Sequence, residues 1–365
     1  MMRIVFFCLL VINISSFGQE VCRALPLRKS VLLANSENKN LKSQPLRASS
    51  CQATADWIAH QPEMEVTWHE FFGQRYSPMK QWSFSELVSR IPSPLVVRYL
   101  FGGPDLLSLL AFFPDAPTYI LCGMEPIGNM PSIEELSLEE LEKGATQICQ
   151  STKTFFTYGY FITKEMKERM NQKRSFQGVL PILLTFLALH GASILDIEPF
   201  SLGGIPAVKI SFQSSFKNIP QDVFYIQADL SNEGDLSIFK WLRSFGPGAA
   251  YLKAASYLLH ENRFSRAREF LLTESTSILE DDSGIPLRFF NQQQWSRYFF
   301  GDYQGPIELF KKYHQTDLTS VYTTSPLSGP MPFGTGYQFK DGTDGGAHLL
   351  LFVKKEFIPK ATLTK

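Results

Sequence analysis

The chain has 365 residues, 44% hydrophobic and 19% charged, enough for one large or two ordinary domains with a sizeable core. Thirty-five basic residues balance thirty-five acidic ones, so no net field draws the chain to nucleic acid or to an anionic membrane surface. The 31 phenylalanines point to an aromatic-rich core rather than an aromatic binding groove.

The N-terminal "MMRIVFFCLLVINISSFGQE" carries one positive charge at Arg3, an apolar run from Ile4 to Ile14, and small residues Ser16 and Gly18 before Gln19. This is the layout of a secretory signal peptide over residues 1–18, and it predicts export to the periplasm or the exterior. The run is short for a bilayer span, and a short uncleaved anchor is the competing reading. The nearest later candidate, residues 179–195, is broken by His190 and Gly191, so no stable membrane span is expected. Residues 19–54 are polar and mixed, the composition of a flexible lead. Loss of the signal leaves Cys22, Cys51, Cys122 and Cys149. Four cysteines in an exported chain permit two disulfides in three connectivities, and the sequence-local one pairs Cys22 with Cys51 and Cys122 with Cys149. Cys122 also lies in an apolar strand, where a buried thiol is inert. No cysteine pair has the spacing of a zinc or redox site, and no metal is assigned.

From Asp56 onward, strands and helices alternate. "SFSELVSRI" reads as a helix, "PLVVRYLF" as a strand, "DLLSLLAFF" as a helix and "TYILCG" as a second strand. "SIEELSLEELEKGATQICQ" predicts one long amphipathic helix with a capping box of Ser132 and Glu135. A charged helix follows over residues 164–173 and an apolar one over 179–190. Strands are expected near 193–197, 208–212 and 223–228, and helices over 236–245, 249–259 and 265–273. The strand "TSILE", helices over 292–299 and 307–313, a glycine-rich loop and the strand "HLLLFVKK" complete the chain. On the 249–259 helix, Lys253 and Tyr257 share one face, with the lysine packed and snorkelling. The alternation predicts an α/β fold. Residues 55–245 would form a Rossmann-like, mostly parallel sheet flanked by helices, and residues 246–365 an additional C-terminal α+β region that can continue it.

In such a sheet, ligands collect beyond the carboxyl ends of the strands. Gly102, Gly103 and Asp105 follow the first strand, and Glu125 follows the second, about the interval at which a dinucleotide fold places its ribose-binding acid. These four are the ligand-binding candidates, for a small molecule. Asp105 suits the first turn of the next helix and sets a negative charge where a pyrophosphate would sit. A phosphate-bearing cofactor is therefore disfavoured, and one with a cationic centre is tolerated; the residues alone leave the cofactor unknown. Residues 99–126 resemble the first βαβ unit of class I S-adenosylmethionine-dependent methyltransferases. The resemblance implies that Gly102 and Gly103 form the glycine turn and that Glu125 holds the ribose hydroxyls. The family's longer glycine pattern and preceding acid are missing, with Tyr99 and Phe101 in their place. An exported chain would also be separated from that cofactor, which is made and kept in the cytosol.

"LEDDSGIP" holds the catalytic candidates Asp281, Asp282 and Ser283. Adjacent carboxylates at a strand end can split their pKa values for acid–base work. The structural alternative is an Asx turn. Three functions follow as expectations: an exported enzyme with an acidic strand-end pocket, a non-catalytic binding or structural protein on the same scaffold, or a methyltransferase-like enzyme if the chain is not exported.

Overall fold

The computed structural model describes residues 48–161, 176–215, 219–338 and 347–358. The signal-like stretch, Cys22 and the charged helix over 164–173 lie outside them. The scaffold is one mixed sheet of nine strands: β1 Val96–Tyr99, β2 Thr118–Gly123, β3 Ser193–Leu202, β4 Ile205–Gln213, β5 Gln221–Gln227, β6 Gly248–Leu252, β7 Ser275–Glu280, β8 Trp295–Gly301 and β9 His348–Lys354. Their order is β3-β4-β5-β2-β1-β6-β7-β9-β8.

The five central strands, β5-β2-β1-β6-β7, run parallel. On one flank β4 is antiparallel to β3 and β5; on the other, β9 is antiparallel to β7 and β8. This corrects the expected mostly parallel sheet. Antiparallel ladders make four of the eight pairings and carry more of the paired residues. The cause on one side is local. Gly203 and Gly204 both adopt positive φ, at 61° and 101°, which suits a two-residue hairpin turn between β3 and β4. On the other side, β9 inserts between two strands that precede it in the chain, which no local pattern announces.

Side chains alternate across the strands and divide the core in two. Val97, Tyr99, Tyr119 and Leu121 join one cluster; Val96, Leu100, Ile120 and Cys122 join the other. The first face is covered by α1 Ala48–Ala59, α2 Pro62–Phe71, α3 Ser77–Trp82, α4 Leu106–Phe112, α5 Leu138–Tyr158 and α6 Leu180–Leu189. The second is covered by α7 Ser237–Arg243, α8 Ser265–Glu274 and α9 Thr316–Thr324. Buried phenylalanines, among them Phe112, Phe155, Phe186 and Phe270, fill both layers as the composition predicts. Arg98 is a charged residue within the central strand β1. It is fully buried and donates to the carbonyls of Leu242, in the last turn of α7, and of Gly246, just beyond it. Burial lowers its pKa to about 10.

Several local expectations shift. The alanine-rich stretch after residue 248 is the buried strand β6 followed by a 3₁₀ turn, Ala254–His260, instead of one helix; full burial overrides alanine's helix propensity. The expected helix over 292–299 is largely β8. Helix α1 starts at Ala48, inside the expected flexible lead. The capping box belongs to Ser137 and Glu140, whose carboxylate accepts from Ser137 N at 2.8 Å. Ser132 instead opens a short 3₁₀ turn. Among the described residues, no helix is long and apolar enough to cross a membrane.

Cys51, Cys122 and Cys149 are free, buried thiols, which corrects the pairings proposed for them. Cys122 and Cys149 sit in separate core clusters. Cys51 donates to the Met130 carbonyl at 3.7 Å. Burial pushes Cys51 and Cys149 up to about 11 and Cys122 up to about 12. These three should therefore resist an aqueous thiol reagent in the folded protein and react on unfolding. Mass mapping of alkylated peptides checks this, and rapid native labelling of Cys122 would contradict the placement.

Candidate functional site

The carboxyl ends of β1, β2, β5 and β6 border an open cleft of about 180 Å³, below the usual range of enclosed small-molecule sites, about 300–1,000 Å³. Its lining includes the polar Glu125, Asp229, Asp105 and Lys253 and the aromatic Phe101, Phe264, Tyr160 and Tyr337. Gly102, Gly103, Asp105 and Glu125 all line this one cleft, as the positions after β1 and β2 lead one to expect.

Two glycines shape its floor. Gly103 has φ 55° and its N–H donates to the Cys122 carbonyl at 3.1 Å, tying the turn after β1 to the end of β2. At Gly123, an added Cβ would stand 2.5 Å from Glu125 Oε2 and 2.7 Å from the Tyr225 hydroxyl. Only glycine leaves room for the Glu125 carboxylate to lie back over the strand end. Glu125 is 6% exposed. The Tyr225 hydroxyl donates to its backbone carbonyl at 3.0 Å and lies 3.4 Å from Oε2. Burial, and then the Glu125 charge, hold the Tyr225 phenol well above its ordinary value, so it remains a neutral donor.

Asp105 caps α4: Oδ1 accepts from Ser108 N at 3.1 Å and Oδ2 from Ser108 Oγ at 2.9 Å. Oδ2 also meets Lys253 Nζ at 2.8 Å, and Nζ donates to Ser108 Oγ at 3.0 Å. Asp105 is 1% and Lys253 4% exposed. Lys253 is thus an ion-pair partner at the end of β6 rather than a snorkelling helix residue. Sequence reasoning missed this because β6 was read as helix. The next residue, Ala254, has φ 58°, and it is the one non-glycine residue at positive φ among the described residues. Such a conformation is costly and concentrates at functional sites.

Asp281, Asp282 and Ser283 follow β7 at the same edge of the sheet but do not line the cleft. Gly336 stands between them and it: a Cβ there would press on Asp281 Oδ2 and lie 3.4 Å from Lys253 Cγ. The three close their own turn. Asp281 Oδ1 accepts from the Ser283 N–H at 3.0 Å and from its hydroxyl, the Asx arrangement. Asp282 Oδ2 accepts from the Tyr257 hydroxyl at 2.7 Å, and its N–H donates to His348 Nε2 at 3.0 Å. Glu280 Oε2 accepts from Ile285 N at 2.9 Å.

Burial, reinforced by the Asp282 charge, raises Asp281 from 3.8 to about 6. The folded state then holds a proton that the unfolded chain has released, so stability should fall as pH rises from about 4 to about 6. Asp281→Asn keeps the acceptor for Ser283 and removes the buried charge. The variant should show a flatter stability profile over that window and exceed the parent at neutral pH, as urea unfolding at about pH 5 and pH 7 will measure.

No family model matches the chain, and neither a curated protein nor a solved structure is significantly similar to it.

Proposed function

We propose that the cleft is a nucleoside site and that the chain is a methyltransferase-like protein binding S-adenosylmethionine. The observation that carries this is Glu125: a carboxylate just past the end of β2, laid over Gly123 on the wall of the open cleft. The central strand order supports it. In chain order, the parallel strands β5-β2-β1-β6-β7 stand as 3-2-1-4-5, the arrangement of doubly wound dinucleotide folds, whose ligands sit where the order reverses. That reversal falls between β1 and β6, and both contribute to the cleft.

The residues present fit the cofactor's chemistry. Glu125 offers two acceptor oxygens to a ribose diol. Leu100, Leu230 and Phe264 give apolar surface for a base. The carboxylates of Glu125 and Asp229 favour a cationic centre and oppose a polyphosphate. When bound, the cofactor supplies an electrophilic methyl group. Calorimetric titration of the purified full chain tests the reading: S-adenosylmethionine and S-adenosylhomocysteine should bind, and ATP should not. Failure of both adenosyl compounds would overturn it.

A second reading is an exported enzyme or binding protein on the same scaffold. It is favoured by the signal-like residues 1–18 and by Tyr99 in place of an acid. Fractionation and N-terminal sequencing decide between them. A chain cleaved after Gly18 and found outside the cytosol would be cut off from S-adenosylmethionine, and the second reading would stand.

A further inference from the structure

We infer that the aromatic residues at the β6 end of the cleft form a subsite for a flat, uncharged aromatic ring, with Tyr337 as the residue that receives it. This ligand is separate from the nucleoside, and the inference stands apart from the nucleoside reading.

The ring geometry is the first support. Tyr313, Tyr257, Phe310, Tyr337 and Tyr160 follow one another toward the cleft, with successive centroid distances of 5.2, 4.4, 4.7 and 4.5 Å. Tyr257 makes an angle of 13° with the Tyr313 ring and 22° with the Phe310 ring, a stacked arrangement. The run ends at Tyr337 and Tyr160, which line the cleft. Its members come from four separate segments: the stretch just after α5, the 3₁₀ turn Ala254–His260 that follows β6, the 3₁₀ turn Glu308–Tyr313, and the loop before β9. None of the five belongs to either hydrophobic core cluster, so packing of the sheet does not account for them. A run of rings outside the core that ends on a cleft wall is suited to stack one further ring, that of a ligand.

The construction of the wall is the second support. Gly336 has φ 54°, and a Cβ there would press on Asp281 Oδ2 and meet Lys253 Cγ at 3.4 Å. Only glycine carries the chain past both side chains, and this close approach sets the next residue, Tyr337, beside the end of β6. The turn that bears Tyr257 is opened by Ala254 at φ 58°, a costly conformation of the kind that concentrates at functional sites. The hydroxyls divide in the same sense. Tyr257 donates to Asp282 Oδ2 at 2.7 Å and Tyr313 to Glu261, whereas the Tyr337 hydroxyl makes no hydrogen bond among the described residues. Burial pushes the Tyr337 phenol up to about 12, so it stays neutral and can donate to or accept from a polar substituent on the ring. Charge narrows the class. Glu125 and Asp229 line the same cleft, and the cation that lines it with them, Lys253, is already paired with Asp105 at 2.8 Å. An anionic ligand is therefore repelled.

Calorimetry on the full chain tests this with 2-naphthol, its saturated counterpart decahydro-2-naphthol, and the anion 2-naphthoate. 2-Naphthol should bind saturably and about threefold to tenfold more tightly than the saturated compound, the preference expected of an aromatic contact beyond buried area. 2-Naphthoate should bind more weakly than 2-naphthol. Tyr337→Leu keeps apolar bulk and removes the ring, and it should bring 2-naphthol and decahydro-2-naphthol within about twofold of each other. Tyr337→Phe keeps the ring and should retain the preference. Saturating S-adenosylhomocysteine should leave the 2-naphthol Kd within about twofold of its value alone. Absence of saturable 2-naphthol binding, equal binding of the aromatic and saturated compounds, or an undiminished preference in Tyr337→Leu overturns the inference. Displacement of 2-naphthol by S-adenosylhomocysteine also overturns it, since the rings would then hold the nucleobase. Binding of 2-naphthol with none of S-adenosylhomocysteine overturns the nucleoside reading and leaves this inference standing. Circular dichroism on both variants separates lost recognition from lost fold.

Discussion

Lys253→Met should cost about 3–5 kcal/mol of folding stability, the usual penalty for removing one partner of a buried ion pair. The substitution keeps the unbranched stem and its packing but leaves Asp105, 1% exposed, without its counter-charge. Asp105 cannot simply turn to water, because its two oxygens are committed to the N–H and hydroxyl of Ser108 at the start of α4. Asp105→Asn/Lys253→Met should recover most of the loss, since replacing both charges relieves the desolvation that the pair itself carries. Urea unfolding followed by tryptophan fluorescence measures all three proteins. A single-variant loss below about 1 kcal/mol would show that the pair behaves like a screened surface bridge and that the cleft wall is wetter than the geometry indicates.

The reach of the sequence can be followed through this same neighbourhood. β1, β2 and α4 were legible because apolar runs are punctuated there by Gly102, Gly103 and Pro117. Glu125 was legible because it ends a strand. Asp105 was legible as a first-turn acid, and it is the N-cap of α4. Its partner was not. Lys253 follows "GAAYL", whose alanines favour helix in isolation and become strand only through burial between β1 and β7. A residue whose strand is misread cannot be placed at a strand end, so the contact with Asp105 was out of sight. β8 was hidden similarly by the polar stretch "NQQQWSRY". The order of the outer strands depends on tertiary pairing, above all β9 entering between β7 and β8. The Asp281–Ser283 turn was recognisable as a turn, and the Asx alternative describes its hydrogen bonds. That it lies behind Gly336, off the cleft wall, depends on a loop far along the chain. The cysteine pairings assumed both export and proximity, and the alternation of the sheet puts Cys122 in a different core from Cys149.

Glu125→Gln should weaken nucleoside binding by about tenfold to a hundredfold while leaving the fold intact. An ionised carboxylate can accept from both hydroxyls of a diol, and each charge-assisted bond contributes about 1.5–3 kcal/mol, which corresponds to about one or two factors of ten in affinity. Glutamine matches the shape but has one acceptor oxygen, and its amide nitrogen can only donate. One diol bond is lost and the other becomes an ordinary neutral one. Stability should barely move, because the Tyr225 hydroxyl bonds chiefly to the backbone carbonyl at position 125, at 3.0 Å, and that bond survives the substitution. Gly123→Ala approaches the same point from the other side. Its Cβ would intrude on both Glu125 Oε2 and the Tyr225 hydroxyl and approach the Gly103 backbone at 3.1 Å. It should displace the carboxylate with its charge intact, lowering affinity and, unlike Glu125→Gln, the melting temperature. Titration of S-adenosylhomocysteine alongside thermal unfolding separates the two effects. If the glutamine variant binds as the parent does, the ribose is not held at Glu125, and its carboxylate serves only to pack against the Tyr225 hydroxyl.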